Sequence, residues 1–123
     1  MKVLKCNKCG KIVVQLDEKP CPTVCCGEEM KELKANSSDG AGEKHVPVVK
    51  QEGNVVTVMV GEVAHPMSEE HHIAWVALKT KNNIQFAELD HTGEPVAKFV
   101  IGDDDEVEAA YEYCNLHGLW KTA

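Results

Sequence analysis

Five of the six cysteines lie between positions 6 and 26, and their grouping constrains the N-terminal part of the chain more than any hydrophobic pattern does. Cys6-Asn7-Lys8-Cys9-Gly10 is a Cys-x-x-Cys followed by glycine, the usual form of a metal knuckle whose backbone N–H groups turn toward the sulfurs. A short strand is expected at Lys11–Leu16 and a turn from Asp17 to Pro22, after which Cys25-Cys26-Gly27 supplies two more thiols. Cys6, Cys9, Cys25 and Cys26 together make a tetrahedral thiolate set for iron or zinc. A segment of about 35 residues cannot build a core of its own, so the metal supplies much of its folding energy. The Cα atoms of adjacent cysteines are fixed about 3.8 Å apart, which restricts the sulfur directions and distorts the tetrahedron. Cys21 can replace Cys26 in a Cys-x-x-x-Cys arrangement with Cys25; the doublet is preferred and Cys21 is read as a bystander.

Charge divides the chain unevenly. Residues 1–34 hold seven lysines and five acids (+2), whereas residues 35–123 hold six lysines and fifteen acids (−9), and arginine is absent. An acidic body without bidentate cations argues against a nucleic-acid surface. No apolar run of 18 residues is present, so no membrane span is expected, and Met1-Lys2-Val3-Leu4-Lys5-Cys6 does not lead a signal peptide. A cytoplasmic location follows by default. In a reducing compartment the cysteines serve as metal ligands more readily than as disulfides, although an even number permits either.

Residues 35–42, Ala-Asn-Ser-Ser-Asp-Gly-Ala-Gly, are small and polar and read as a linker between a domain at 1–34 and one at 43–123. The second domain carries segments rich in β-branched residues: Val46–Gln51, Asn54–Val60, Ile73–Thr80, Ile84–Leu89, Val96–Ile101 and Val107–Tyr113. Short strands at such intervals, separated by turns, predict an antiparallel β-sandwich. The acidic run Asp103–Glu106 lacks the oxygen spacing of a calcium loop and reads as a solvated turn.

The histidines stand at 45, 65, 71, 72, 91 and 117, and all but His117 fall in breaks between the expected strands. If residues 65–71 were extended, the two rings would lie roughly 20 Å apart, whereas two nitrogens on one metal are no more than about 4 Å apart. The segment must fold back if both bind one ion, and Pro66 favours that by interrupting a strand ladder. Cys114-Asn115-Leu116-His117-Gly118 adds a two-ligand clip for a soft or borderline metal.

Residues 4–31, with their Cys-x-x-Cys knuckle and Cys-Cys-Gly doublet, resemble desulforedoxin domains. Glu43-Lys44-His45-Val46-Pro47, His65-Pro66-Met67 with a histidine six residues after His65, and Cys114-Asn-Leu-His117-Gly-x-Trp120 resemble superoxide reductases, most of all the two-domain desulfoferrodoxin form. The resemblance implies a desulforedoxin-like domain followed by an immunoglobulin-like β-sandwich, with two irons per chain. One iron would be held by Cys6, Cys9, Cys25 and Cys26. The other would be held by His45, His65, His71 and His117 in a plane, with Cys114 as axial thiolate and a sixth position open. His71 matches the family position, His72 takes the place of a bulky neighbour, and His91 matches no ligand and is expected to be solvated.

The implied reaction is one-electron reduction of superoxide to hydrogen peroxide without release of dioxygen. Lys44 matches the family lysine that attracts the anion and helps deliver a proton, and Glu43 matches the glutamate that assists product release. A rubredoxin-like electron donor and a homodimer are implied as partners. The competing reading is a non-catalytic module in which zinc stabilises a β-sandwich that binds another protein.

Overall fold

The computed structural model describes residues 1–122 and divides the chain into two compact units, one of residues 1–34 and one beginning at residue 35.

In the first unit, β1 (Lys2–Lys5) lies between β2 (Ile12–Gln15) and β5 (Lys31–Glu32), antiparallel to both. Strand β1 was not anticipated: its four residues place Val3 and Leu4 inward between lysines and are too short to show a period. Strands β3 (Val24–Cys25) and β4 (Glu28–Glu29) form a hairpin whose two-residue turn is Cys26-Gly27. Both turn residues have positive φ, 54° and 75°, the combination of a type I′ turn. Cys26 therefore accepts a left-handed conformation costing about 1–2 kcal/mol, which departs from the extended alternation that would send adjacent side chains to opposite faces. The small core consists of Leu4, Cys6 and Met30, with Val13 and Cys25 packed against it.

The second unit opens with one helical turn, α1 (Gly42–His45). It continues through β6 (Pro47–Glu52), β7 (Val55–Val60), β8 (Ile73–Thr80), β9 (Ile84–Glu88), β10 (Val96–Val100), β11 (Val107–Cys114) and β12 (Gly118–Lys121). Strands in the order β10-β7-β6 form one antiparallel sheet, and β12-β11-β8-β9 form the other. In β7 the period-two pattern sends Val56, Val58 and Val60 inward, where they meet Ile73, Val76 and Leu78 of β8 together with Ala97, Phe99 and Ala110. The mainly β architecture expected from the strand spacing is the one observed. Among the described residues no helix is long and apolar enough to cross a membrane.

Three local features differ from expectation. Residues 35–42 do not hang free: the Asn36 side chain exchanges hydrogen bonds with the backbone of Lys121 at 2.8 and 3.2 Å, and its N–H donates to Leu119 O. Small polar residues have little to bury, but an asparagine amide can still satisfy the open edge of β12, itself unanticipated. The 103–106 run does form a turn, yet Asp105 is buried rather than solvated. It accepts hydrogen bonds from Thr80 Oγ1 (2.7 Å), the Asn82 N–H (3.1 Å) and the Glu106 N–H (2.9 Å), which tie the turn to the end of β8. Finally, His91 is half-buried and its ring faces that of His72.

Candidate metal centres

In the first unit the Cys6-x-x-Cys9 knuckle closes through Gly10 N–H to Cys6 O and Cys6 N–H to Lys11 O, both 2.9 Å. The Cys9 N–H points at Cys6 Sγ (3.5 Å). Hydrogen bonds from the Cys9 and Lys8 amides pull the Cys6 thiol down to about 6. Cys25 is pushed the other way, to about 12, because it shares protons with Cys6 and Cys9. Four thiols so close cannot all ionise without a cation between them. The four sulfurs lie within 4.8 Å of one another, with Cys9–Cys25 at 3.6 Å and Cys25–Cys26 at 3.9 Å. Metal–sulfur bonds of about 2.3 Å in a tetrahedron require sulfurs about 3.8 Å apart, so the set fits a tetrahedral thiolate metal such as iron. Cys21 is an exposed free thiol outside this group.

In the second unit the ligand-bearing residues come from four places. His45 ends α1, His65 and His71 flank the turn that leads into β8, Cys114 ends β11, and His117 precedes β12. The 65–71 segment does fold back, bringing its two rings to 4.6 Å between centroids. Around the site, centroid distances are 4.6 Å for His45–His65, 4.6 Å for His65–His71, 5.1 Å for His71–His117 and 4.8 Å for His117–His45. The His45–His71 diagonal is 6.3 Å, so the rings stand at the corners of a square. Cys114 Sγ is fully buried beside it, 3.4 Å from His65 Nε2 and 3.9 Å from His117 Nδ1. The β11–β8 register shifts between Tyr113 and Cys114, where β8 carries an extra residue, Ala74, shortly after the turn that holds His71.

The protonation pattern shows what the square can hold. His45 Nδ1 is 2.8 Å from Ala41 O and His65 Nδ1 is 2.7 Å from Pro66 O, so in each ring Nδ1 donates and Nε2 keeps its lone pair. Those two Nε2 atoms face each other at 3.1 Å, and His117 Nδ1 lies 3.1 Å from His45 Nε2. His71 Nε2 is buried with no hydrogen-bond partner among the described residues. Lone pairs converging on one point repel unless a cation lies between them. Nitrogens at right angles on a metal at about 2.1 Å are about 3.0 Å apart, so the donor set fits iron. Desolvation holds His65 down at about 4 and also lowers His45 and His71, keeping the imidazoles neutral and available.

Neighbouring residues brace the square. Trp120 stacks on His45 at 4.9 Å and donates its indole N–H to His117 O (3.1 Å), while Ser38 Oγ also donates to His117 O. A Cβ at Gly40 would come within 2.9 Å of His45 Cε1, and one at Gly61 within 2.6 Å of Glu43 O, so only glycine lets the chain approach at these two points. Val63 N–H donates to Glu43 O at 3.0 Å, fixing the backbone that carries Glu43 and Lys44. Both side chains are exposed, and the Lys44 charge adds to the lowering of His45 and His71 that desolvation begins.

The sequence reading missed Glu112. It is fully buried, two residues before Cys114 on the inward face of β11, and neither carboxylate oxygen has a partner among the described residues. Burial pushes its carboxyl up to about 9, so it stands there as a neutral acid. Strand parity could have found it, since Ala110, Glu112 and Cys114 share one face.

A β-sandwich carrying four imidazoles and one buried thiol, preceded by a four-thiol knuckle, defines a two-centre non-haem metalloprotein. Comparison with known proteins narrows this class. The desulfoferrodoxin family profile matches residues 37–123. A desulfoferrodoxin from Nitratidesulfovibrio vulgaris is 47% identical over 97% of this chain and 93% of its own length. A desulfoferrodoxin homolog from Archaeoglobus fulgidus is 42% identical over 99% and 96%. The solved structure of the superoxide reductase from Treponema pallidum aligns with a TM-score of 0.83 at 41% identity, covering 98% of both chains. This chain belongs to the desulfoferrodoxin family.

Proposed function

We infer that the protein is a superoxide reductase: superoxide takes up one electron and two protons and leaves as hydrogen peroxide, with no dioxygen formed. The observation that carries this reading is the square of imidazoles around a single buried thiol, a donor set unlike the four-ligand closure usual for structural zinc. Iron held by His45, His65, His71, His117 and Cys114 supplies the electron.

The chain's own residues do the rest. The Ala41 and Pro66 carbonyls hold the tautomers of His45 and His65, and Trp120 fixes the orientation of His45. Cys114 Sγ, buried in the core beside the square, would be the electron-donating ligand of that iron. Superoxide must approach a unit of charge −9, counted over residues 35–123. At a Debye length of about 8 Å a nearby cation outweighs distant carboxylates. We assign that role to the exposed Lys44 ammonium, which also offers a proton from Nζ, and assign Glu43 to product release by its match to the family glutamate. Cys6, Cys9, Cys25 and Cys26 would hold the second iron, a one-electron centre, and the partners assigned to the protein are a rubredoxin-like electron donor and a second copy of the chain in a homodimer. Six free thiols suit the reducing cytoplasm.

Metal analysis with a visible spectrum, followed by pulse radiolysis with measurement of peroxide and dioxygen, tests the assignment. Two irons per chain and peroxide without dioxygen are expected. A colourless protein carrying zinc alone and leaving superoxide intact would overturn it in favour of the interaction module. Within the iron protein, Cys114→Ser should abolish the ferric thiolate charge-transfer band, and a surviving band would remove Cys114 from the donor set.

A further inference from the structure

Two histidines belong to neither donor set. His72 and His91 lie in the second unit, where Trp75 of β8 stands opposite Glu88 of β9. The Leu89 N–H donates to Ala74 O at 3.0 Å, which carries that pairing one step beyond the strand. Continued two steps further, the register sets His91 across from His72, and their ring centroids are 5.9 Å apart. This spacing can be read against the histidine square of the same protein, whose sides span 4.6–5.1 Å and whose diagonal is 6.3 Å. Imidazoles separated by 5.9 Å therefore lie within the range at which one ion can be shared.

His72 is also held ready to bind. Its N–H donates to Asn115 Oδ1 (2.8 Å) and its carbonyl accepts from the Asn115 N–H (3.2 Å). Its Nδ1 is 2.9 Å from Ser68 O; donation there leaves the Nε2 lone pair free, as a carbonyl-braced metal-ligating histidine requires. His91, Glu88 and Asp90 line the same open groove as His72. The two acids add negative charge, and Asp90 is fixed by the Thr92 N–H and hydroxyl, both at 2.9 Å.

We propose that His72 and His91 form a surface site for a late first-row divalent cation, with zinc(II) as the probe ion, separate from both iron centres. Paired imidazoles without a thiolate, beside carboxylates and open to water, suit zinc, nickel or copper(II) rather than calcium or magnesium. A cation there joins the loop after β9 to the turn that carries His71, and through Asn115 touches the strand end that carries Cys114.

The test is calorimetric titration of zinc(II) into the full-length, iron-loaded protein, with the visible spectrum recorded at each step to show that iron stays in place. One equivalent beyond the two irons is expected for the wild-type chain. It should be lost in His91→Ala and in His72→Phe, the latter keeping an aromatic ring but no nitrogen. Absence of the extra equivalent in the wild type, or its persistence in either variant, would overturn the site. Neither outcome decides whether the chain reduces superoxide, because that reading rests on a different donor set, His45, His65, His71, His117 and Cys114.

Discussion

The first unit has a hydrophobic core cluster of Leu4, Cys6 and Met30, whereas the cluster of the β-sandwich joins eleven buried residues from Val56 to Cys114 among those described. In the first, a core residue is itself a ligand, and the sheets are built of strands of two to four residues. In the second, only Cys114 of the core belongs to the metal centre, and the histidines sit on turns that the finished sandwich holds together. One unit is organised by its metal, and the other presents a prepared site to its metal. The difference follows from size, since a few tens of residues cannot bury enough apolar surface to offset chain entropy.

The largest expected effect would break that contrast outright. Cys9→Ser should remove metal binding worth on the order of 10 kcal/mol and melt β1, β2 and β5 while the sandwich stays folded. Hydrogen exchange at Val3 and Leu4 compared with Val56 and Val58 reads this directly; equal loss of protection in both units would show that the sandwich also depends on the first metal. The reciprocal change is smaller. Leu78→Ala in the core of β8 should cost about 2–5 kcal/mol in thermal unfolding of the sandwich and leave the visible spectrum of the four-cysteine centre unchanged.

Next in size is Lys44→Ala, for which the second-order rate with superoxide should fall about tenfold and lose part of its salt dependence, at the low end of what local charge steering gives. Pulse radiolysis at two ionic strengths measures both, and an unaltered rate would detach Lys44 from steering. The smallest effect concerns the sandwich alone. Asp105 is held below its ordinary 3.8, first by the Thr80 hydroxyl and then by backbone N–H groups against desolvation. A depressed carboxyl stabilises the fold above 3.8 and loses that contribution as pH falls through the lower, folded value. Asp105→Asn should therefore lower stability at neutral pH and flatten the acid limb in urea titrations run at several pH values. Curves parallel to wild type down to low pH would show that the carboxylate charge is not what holds the turn.

How legible each part was depends on the length of its signal. Strands β6 to β11 announced themselves because five to eight residues suffice to show alternation, while β1, with four, and β3 to β5, with two each, do not. Residues 35–42 carry small polar side chains, a composition shared by free linkers and by chain that packs through hydrogen bonds, as Asn36 and Ser38 do. His72 and His91 lie far apart along the chain and become neighbours only through the β8–β9 register. Glu112 looked like any strand residue until its face was known.

The sequence by itself determined the inventory of donors and their local spacing: the knuckle and doublet of cysteines, the Cys114–His117 clip, and the need for residues 65–71 to turn back if both histidines share an ion. Those properties follow from covalent neighbours and backbone reach. Only the tertiary structure decided that four histidines stand at the corners of a square, that Cys114 lies buried beside it, and that the lone pairs of His45 and His65 converge at 3.1 Å. The carbonyls that set the tautomers of His45 and His65 are near neighbours, Ala41 and Pro66, but the tryptophan that stacks on His45 comes from the far end of the chain, and no local pattern encodes where the four rings meet.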